Sequence, residues 1–381
     1  MRFLPNQMSQ SVPAHSGLFE ADEYEEARRF FRSHPDLKAT PLIRLDVGGK
    51  LRFRNVLLKD ESDRFGLDSF KIAGVLYAVH RLIANGSLTK ISALTCATDG
   101  NHGRAVAHVA RKFGLHAKVF VPRSMVPARV RALRAEGAEV LVVDGNYDET
   151  VRRAAATAAA EEAILISDTS WPGFEDIPRW IMAGYTVLLE EAVRQWAPDC
   201  PPELVVIQVG VGGLACAVVS WFCYNYGARR PFFVSCEPEN AACLLESVRA
   251  RRRVTIAGTL DTIMAGLSCG EVSSLAFPVL SSTVDLLITV DDEQVREAMC
   301  LLARENPRVT AGESGAAGLA ALLTLASDPD LISLLRNHNI DFDSRVLIFN
   351  TEGATDPANY ARVTKTAAGF LPPECGCDIP K

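Results

Sequence analysis

The 381-residue chain is poor in aromatic residues (7%) and has only four tryptophans, and no uninterrupted apolar run approaches the roughly 20 residues that span a bilayer. No membrane partner is expected. The N-terminus also lacks the charged-then-apolar order of a secretory leader, which makes the cytoplasm the expected location. Excess charge is slight: a formal net charge of -6, without zinc-finger spacing or a basic stripe interleaved with aromatics, leaves no footprint for nucleic acid. The short basic run from Arg249 to Arg253 reads as a solvated turn.

Cysteine is more frequent, at ten residues, but without paired spacing, and several sit in apolar segments such as Ala215-Cys216-Ala217 and Trp221-Phe222-Cys223. Those thiols are expected in the core as small hydrophobes. Cys375-Gly376-Cys377 has no histidine close by, so a frayed tail is favoured over a metal site. Cys243 and Cys269 can form a redox pair only if the fold brings them together, which spacing does not determine. Repeats are absent, and the only biased tract is the alanine-rich Ala154 to Ala160.

What is present is an apolar fraction of 48% with 23% charge, enough for a substantial core. Aliphatic runs alternate with helical periodicity, the signature of an α/β fold with parallel strands. Strands are predicted at Asn55 to Lys59, Ile91 to Thr95, Ala117 to Val121, Glu139 to Val143, Ala163 to Ser167, Leu204 to Val209, Pro231 to Glu237, Leu286 to Val290 and Arg345 to Phe349. Helices are predicted at Phe70 to Ala84, His102 to Phe113, Ala128 to Glu136, Tyr147 to Glu161, Pro178 to Trp196, Gly213 to Tyr226, Asp292 to Glu305 and Gly315 to Ala326. So many strands imply two open twisted sheets flanked by helices. The prolines between Pro198 and Pro202 mark a crossing, giving a large domain of residues 1–83 plus 197–381 and a smaller α/β domain of residues 84–196.

Three strand-to-helix turns concentrate the chemistry, at the carboxyl ends of strands where open α/β sheets bind ligands. Gln208-Val209-Gly210-Val211-Gly212-Gly213 offers bare N–H groups at a helix start, suited to a phosphate, although a plain tight connection also accounts for it. It fits neither the dinucleotide nor the nucleoside-triphosphate pattern. Thr98-Asp99-Gly100-Asn101-His102-Gly103 suits a carboxylate or a ring hydroxyl; Asp99 as a plain helix cap is the other reading. In Asp68-Ser69-Phe70-Lys71 a lysine opens an apolar helix, where a cation is electrostatically misplaced unless something offsets it. An imine to a phosphate-bearing aldehyde is one such offset, and a snorkelling surface lysine is the alternative.

Ser69-Phe70-Lys71 with Gly74, T-D-G-N-H-G at 98–103 and G-V-G-G at 210–213, in this order, resemble the fold type II pyridoxal-phosphate (PLP) family, tryptophan synthase β-like, which includes serine and threonine dehydratases. Thr40-Pro41-Leu42 is similar to that family's opening segment. Within the family the likeness is greatest to the diaminopropionate ammonia-lyases, through Phe65-Gly66-Leu67, Asp168-Thr169-Ser170-Trp171, Ile177 to Met182, Ile263 to Leu267, Gly312 to Ala316 and Thr351 to Asp356. The resemblance spans residues 40–360. It implies that Lys71 forms the Schiff base, that Gly210, Val211, Gly212, Gly213 and Leu214 hold the phosphate, that Asn101 lies beside the ring hydroxyl and that Thr351 faces the pyridine nitrogen. Leu214 and Cys216 make the phosphate turn bulkier than the ammonia-lyase pattern. The resemblance further implies a homodimer, an amino-acid substrate and no metal.

The dehydratases carry a neutral serine where Asp99 stands. A carboxylate there repels a plain substrate carboxylate unless a cation arrives with it, since unit charges about 4 Å apart interact by several kcal/mol at an effective dielectric near 20. A β-ammonium group supplies that cation and then leaves as ammonia. Asp168, just after a strand, is a second carboxylate, or a turn cap. The resemblance implies elimination of ammonia from both D- and L-2,3-diaminopropionate, and with two carboxylates at the site the expectation is that Asp99 is the base for the L form and Asp168 for the D form. Dehydration of serine or threonine, β-replacement by a synthase on the same fold, and a silent sensor that kept the fold stay open as alternatives.

Overall fold

The structure is a computed structural model that describes residues 2–9, 17–88, 91–98, 100–145, 147–161, 163–196, 200–305 and 307–364. Asp99, Pro198 and Asp199 of the Pro198 to Pro202 stretch, and Cys375 and Cys377 lie outside the described residues. Among the described residues eleven strands form in chain order: β1 (Phe3–Pro5), β2 (Leu42–Leu45), β3 (Asn55–Asp60), β4 (Ala93–Ala97), β5 (His116–Pro122), β6 (Glu139–Val143), β7 (Ile164–Leu165), β8 (Leu204–Gln208), β9 (Phe232–Pro238), β10 (Leu286–Val290) and β11 (Arg345–Asn350). The expected two sheets are present. One has seven strands in the order β1-β10-β9-β8-β11-β3-β2, and the other has four in the order β6-β5-β4-β7.

Side-chain alternation explains why the large sheet is central. Along β8 and β11, Val205, Ile207, Leu347 and Phe349 pack into one apolar cluster, while Leu204, Val206, Val346 and Ile348 pack into another on the opposite face. Both faces are covered, as a parallel sheet requires. All nine strands expected from sequence form, with β7 trimmed to two residues. The two that sequence reading misses, β1 and β2, are the antiparallel edges at either end of the large sheet. Their three or four residues are too short to declare a period.

The helix expected at Pro178 to Trp196 is instead two helices, Asp176–Tyr185 and Val187–Ala192. The break falls at Thr186, whose hydroxyl donates to Ala183 O at 2.7 Å and competes with the regular ladder. Helices Ala21–Arg32, Cys243–Arg249, Ala276–Thr283, Pro329–Asn337 and Pro357–Thr364 are additional to the sequence reading. Arg249, at the end of helix Cys243–Arg249, and Arg251 and Arg252 are exposed, whereas Arg253 is half-buried and donates from Nε to Val272 O at 2.9 Å, so the solvated run stops one residue short of the expectation. No single helix among the described residues is long and apolar enough to cross a membrane; Glu313–Ser327 with Pro329–Asn337 pass only as a pair bent by 90°.

Helix Lys71–Ala84 is seated by two glycines. A Cβ on Gly74 would lie 2.7 Å from Ile181 O, and one on Gly184 would lie 2.8 Å from Ala73 O, so the helix meets Asp176–Tyr185 almost backbone to backbone. Gly74→Ala is therefore expected to destabilise the protein by about 1–3 kcal/mol, read as a fall in melting temperature. Because Lys71 lies one turn away, the substitution should also weaken cofactor retention.

A buried ion cluster ties helix Val187–Ala192 to β3. Glu191 accepts from Lys59 Nζ at 2.8 Å and from Arg64 Nη2 at 2.7 Å, while Glu61 pairs with Arg64 and accepts from Thr40 Oγ1 at 2.6 Å. Two cations and two carboxylates cancel. Removing one carboxylate leaves a buried cation uncompensated, so Glu191→Ala should cost about 3–5 kcal/mol in denaturant unfolding.

Candidate active site

The chain leaves a cleft of about 860 Å³, counting the part open to solvent, above the carboxyl ends of β8 and β11. Lys71, Asn101, Asp168, Gly210, Val211, Gly212, Gly213, Leu214 and Thr351 all line it, so residues far apart in sequence converge on one space.

Lys71 is the first residue of its helix, and the strand-like approach to it is pinned where Ser69 bridges Glu352 and Phe70 N–H donates to Thr351 O at 3.3 Å. Its ammonium pairs with the carboxylate of Asp168. That pair resolves the electrostatic oddity of a cation at a helix start, because the offset is a buried anion from the loop after β7. Burial disfavours the charge on Lys71, but Asp168 outweighs it and holds the amine above its ordinary range. Burial likewise opposes charge on Asp168, yet Lys71 and then His102 hold that carboxyl well below the usual carboxylate range.

The glycine turn is built as a cradle. Gly212 has φ +94° and a Cβ there would meet Leu280 Cδ1 at 3.0 Å, while a Cβ on Gly210 would meet Gly266 O at 3.0 Å. The left-handed backbone at 212 favours glycine, and at 210 a side chain would be tightly crowded. From behind, Ser273 N–H donates to Val211 O at 2.9 Å and the Cys243 thiol donates to Gly210 O at 3.5 Å. Helix Gly213–Tyr226 then begins, and its first N–H groups have no intrahelical acceptor. Cys243 and Cys269 are both thiols here, so the fold does not join them by a disulfide.

Asn101 opens helix Asn101–Lys112 after Gly100, whose φ of 146° is open to glycine alone. Thr98 Oγ1 fixes this turn by accepting from Gly100 N–H and Gly103 N–H, each at 2.9 Å. The Asn101 amide donates to Glu352. Opposite, Gln208 Nε2 donates to Thr351 Oγ1 at 3.2 Å and to Phe349 O at 3.0 Å. Since Thr351 Oγ1 accepts there, its own O–H proton is available to a further acceptor in the cleft.

Sequence reading did not single out Glu352, Gln208 or His102, all of which line the cleft. His102 is buried with Nε2 2.9 Å from Ile166 O and Nδ1 3.9 Å from Asp168 Oδ2, and burial pushes its pKa down. The only signal for these residues was their place inside motifs already quoted.

Residues 34–332 match the family described as pyridoxal-phosphate dependent enzyme. The chain belongs to the pyridoxal-phosphate-dependent enzymes. Among relatives of this PLP-dependent enzyme, the diaminopropionate ammonia-lyase of Escherichia coli K12 is 34% identical over 368 residues, covering 91% of this chain and 92% of that protein. A biosynthetic L-threonine dehydratase of Mycobacterium bovis is 28% identical, covering 88% and 76%. The crystal structure of the E. coli ammonia-lyase with an aminoacrylate-PLP azomethine reaction intermediate superposes with a TM-score of 0.87 at 33% identity, over 95% of this chain and 96% of that one.

The residues present fit the cofactor. A phosphate needs N–H donors without a Cβ in the way, an aldehyde needs a buried primary amine, and a pyridine nitrogen needs a donor; the 210–214 turn, Lys71 and the Thr351 hydroxyl present these in one cleft. Among the described residues Lys71 is the only lysine lining it.

Proposed function

We propose that this enzyme eliminates ammonia from 2,3-diaminopropionate: one diaminopropionate and one water give pyruvate and two ammonia. The carrying observation is the pairing of Lys71 with buried Asp168 in the PLP cleft, which sets a carboxylate at the amine where the substrate's α-carbon must arrive. Identity to the ammonia-lyase, higher than to the threonine dehydratase, supports the same substrate.

When bound, the cofactor supplies an aldehyde for an amine and a ring that accepts electrons from the α-carbon. Lys71 anchors it and frees its amine when substrate arrives. The 210–214 turn binds the phosphate, and the Asn101 amide donates toward the ring hydroxyl. Thr351, with its proton directed away from Gln208, donates to the pyridine nitrogen and leaves it uncharged, which favours elimination over transamination. Asp168 takes the α-proton of the D isomer at its carboxylate oxygen. Asp99 takes that of the L isomer and compensates the β-ammonium. Strands of residues 93–165 forming their own sheet support the division into domains 84–196 and 1–83 plus 197–381, and the family resemblance supports a cytoplasmic homodimer.

The test is release of pyruvate or 2-oxobutyrate from both diaminopropionate isomers, both serine isomers and L-threonine. Diaminopropionate should give the highest kcat/KM. A larger value for L-serine or L-threonine would replace this reading with a dehydratase.

A further inference from the structure

The dehydratase-like motifs of the cleft are crossed by one carboxylate that nothing above gives a role. Glu352 is 2% exposed, lines the cleft and follows Thr351 directly. Its Oε1 accepts from Ser314 N–H at 2.9 Å, at the start of helix Glu313–Ser327, and its Oε2 accepts from Asn101 Nδ2. Its backbone is held as well: Gly312 N–H donates to Glu352 O at 2.9 Å, and a Cβ on Gly315 would lie 2.7 Å from that same oxygen. Glu352 is thus a rigid strut from the large sheet to the first residue of a helix that packs on the small one.

Resting on the proposed role of Asn101 in the cofactor site, we propose that Glu352 is a positioning residue that sets the orientation of the Asn101 amide. The chemistry of the contact decides the orientation. A carboxylate oxygen only accepts, so the amide must turn its NH₂ toward Glu352 and its carbonyl away. One N–H is then committed to Glu352, and the other is left for the cofactor's ring oxygen. Both groups that Glu352 meets are donors. A carboxylate satisfies two donors, whereas a glutamine offers one acceptor and one donor and must fail one of them. Without Glu352 the amide is free to flip and turn its carbonyl oxygen toward the ring oxygen, and the N–H donated to that oxygen is lost.

The experiment compares holoenzymes of wild type, Glu352→Gln, Glu352→Asp, Asn101→Ala and the double variant Asn101→Ala with Glu352→Gln. Readouts are the position of the visible cofactor band, the dissociation constant for PLP and the melting temperature. Glu352→Gln should move the band and weaken PLP binding about tenfold, as loss of a charge-assisted hydrogen bond does. Glu352→Asp, which keeps two acceptors on a shorter arm, should recover part of that loss. In the Asn101→Ala background, Glu352→Gln should change neither band nor affinity further. If Glu352→Gln leaves both untouched, or shifts them equally with and without Asn101, the proposal is overturned. If Glu352→Gln does not fold, Glu352→Asp alone decides by the same comparison against Asn101→Ala. Failure of the underlying site reading is distinguishable, because it appears as an unchanged cofactor band and PLP affinity in Asn101→Ala alone.

Discussion

Lys71→Ala should abolish the visible imine band and lower diaminopropionate turnover by at least about 10³-fold, because an elimination that depends on a covalently held aldehyde loses both its anchor and its nearest proton carrier. Among the described residues no other lysine lines the cleft to substitute for it. Borohydride reduction of the wild-type holoenzyme should fix the cofactor to the peptide containing Lys71, and the variant should take up no label. A second consequence is electrostatic. Asp168 is buried and held low chiefly against its burial by Lys71, so the variant leaves that carboxylate without its main cation. A carboxyl with a depressed folded pKa contributes stability above its unfolded pKa of about 4, lost as pH falls through the folded value. Lys71→Ala raises the folded pKa of Asp168 and removes that contribution, so the apoprotein should melt lower than wild type near neutral pH and differ little in strong acid.

Asp168→Asn should separate the two substrate isomers. With a single general base assigned to each face, kcat/KM for D-diaminopropionate should fall by about 10²–10⁴, the usual contribution of a positioned base, while the L isomer is affected less than about tenfold. Asp99→Asn should show the reverse. Equal, mild losses on both isomers in both variants would rule out the division of labour. The same variant reports on Lys71, whose ammonium Asp168 stabilises against burial. Without that carboxylate the amine should lose its proton at lower pH, and imine formation from apoprotein and PLP should become faster near neutral pH. Stopped-flow absorbance across pH measures this directly.

The difference between what was legible and what was not follows residue type. Glycines at 210 and 212 pointed to a cradle, with a plain tight connection as the other reading, and in the structure Gly212 has φ +94° while a Cβ at either place would sit only 3.0 Å from its nearest neighbour. Lys71 drew attention because a cation opens an apolar helix; its compensation by Asp168, 97 residues away, needed the third dimension. Gln208, His102 and Glu352 carried no such signal, since a buried amide, imidazole or carboxylate inside a motif looks like any other polar residue until its partners are placed. The strands followed the same rule. Buried parallel strands such as β10 announce themselves as unbroken aliphatic runs, whereas β1 and β2 exist only because a sheet edge was available to pair with.

By itself, the order of apolar runs and glycine turns determined an α/β chain with two sheets and a ligand cleft at strand ends, because burial and backbone sterics are local demands that each residue type states openly. Tertiary structure alone decided which charges meet. Pairing Lys71 with Asp168, Asn101 with Glu352, and Lys59 and Arg64 with Glu191 depends on distances between segments far apart in the chain, and Coulomb and hydrogen-bond energies vary with those distances rather than with sequence.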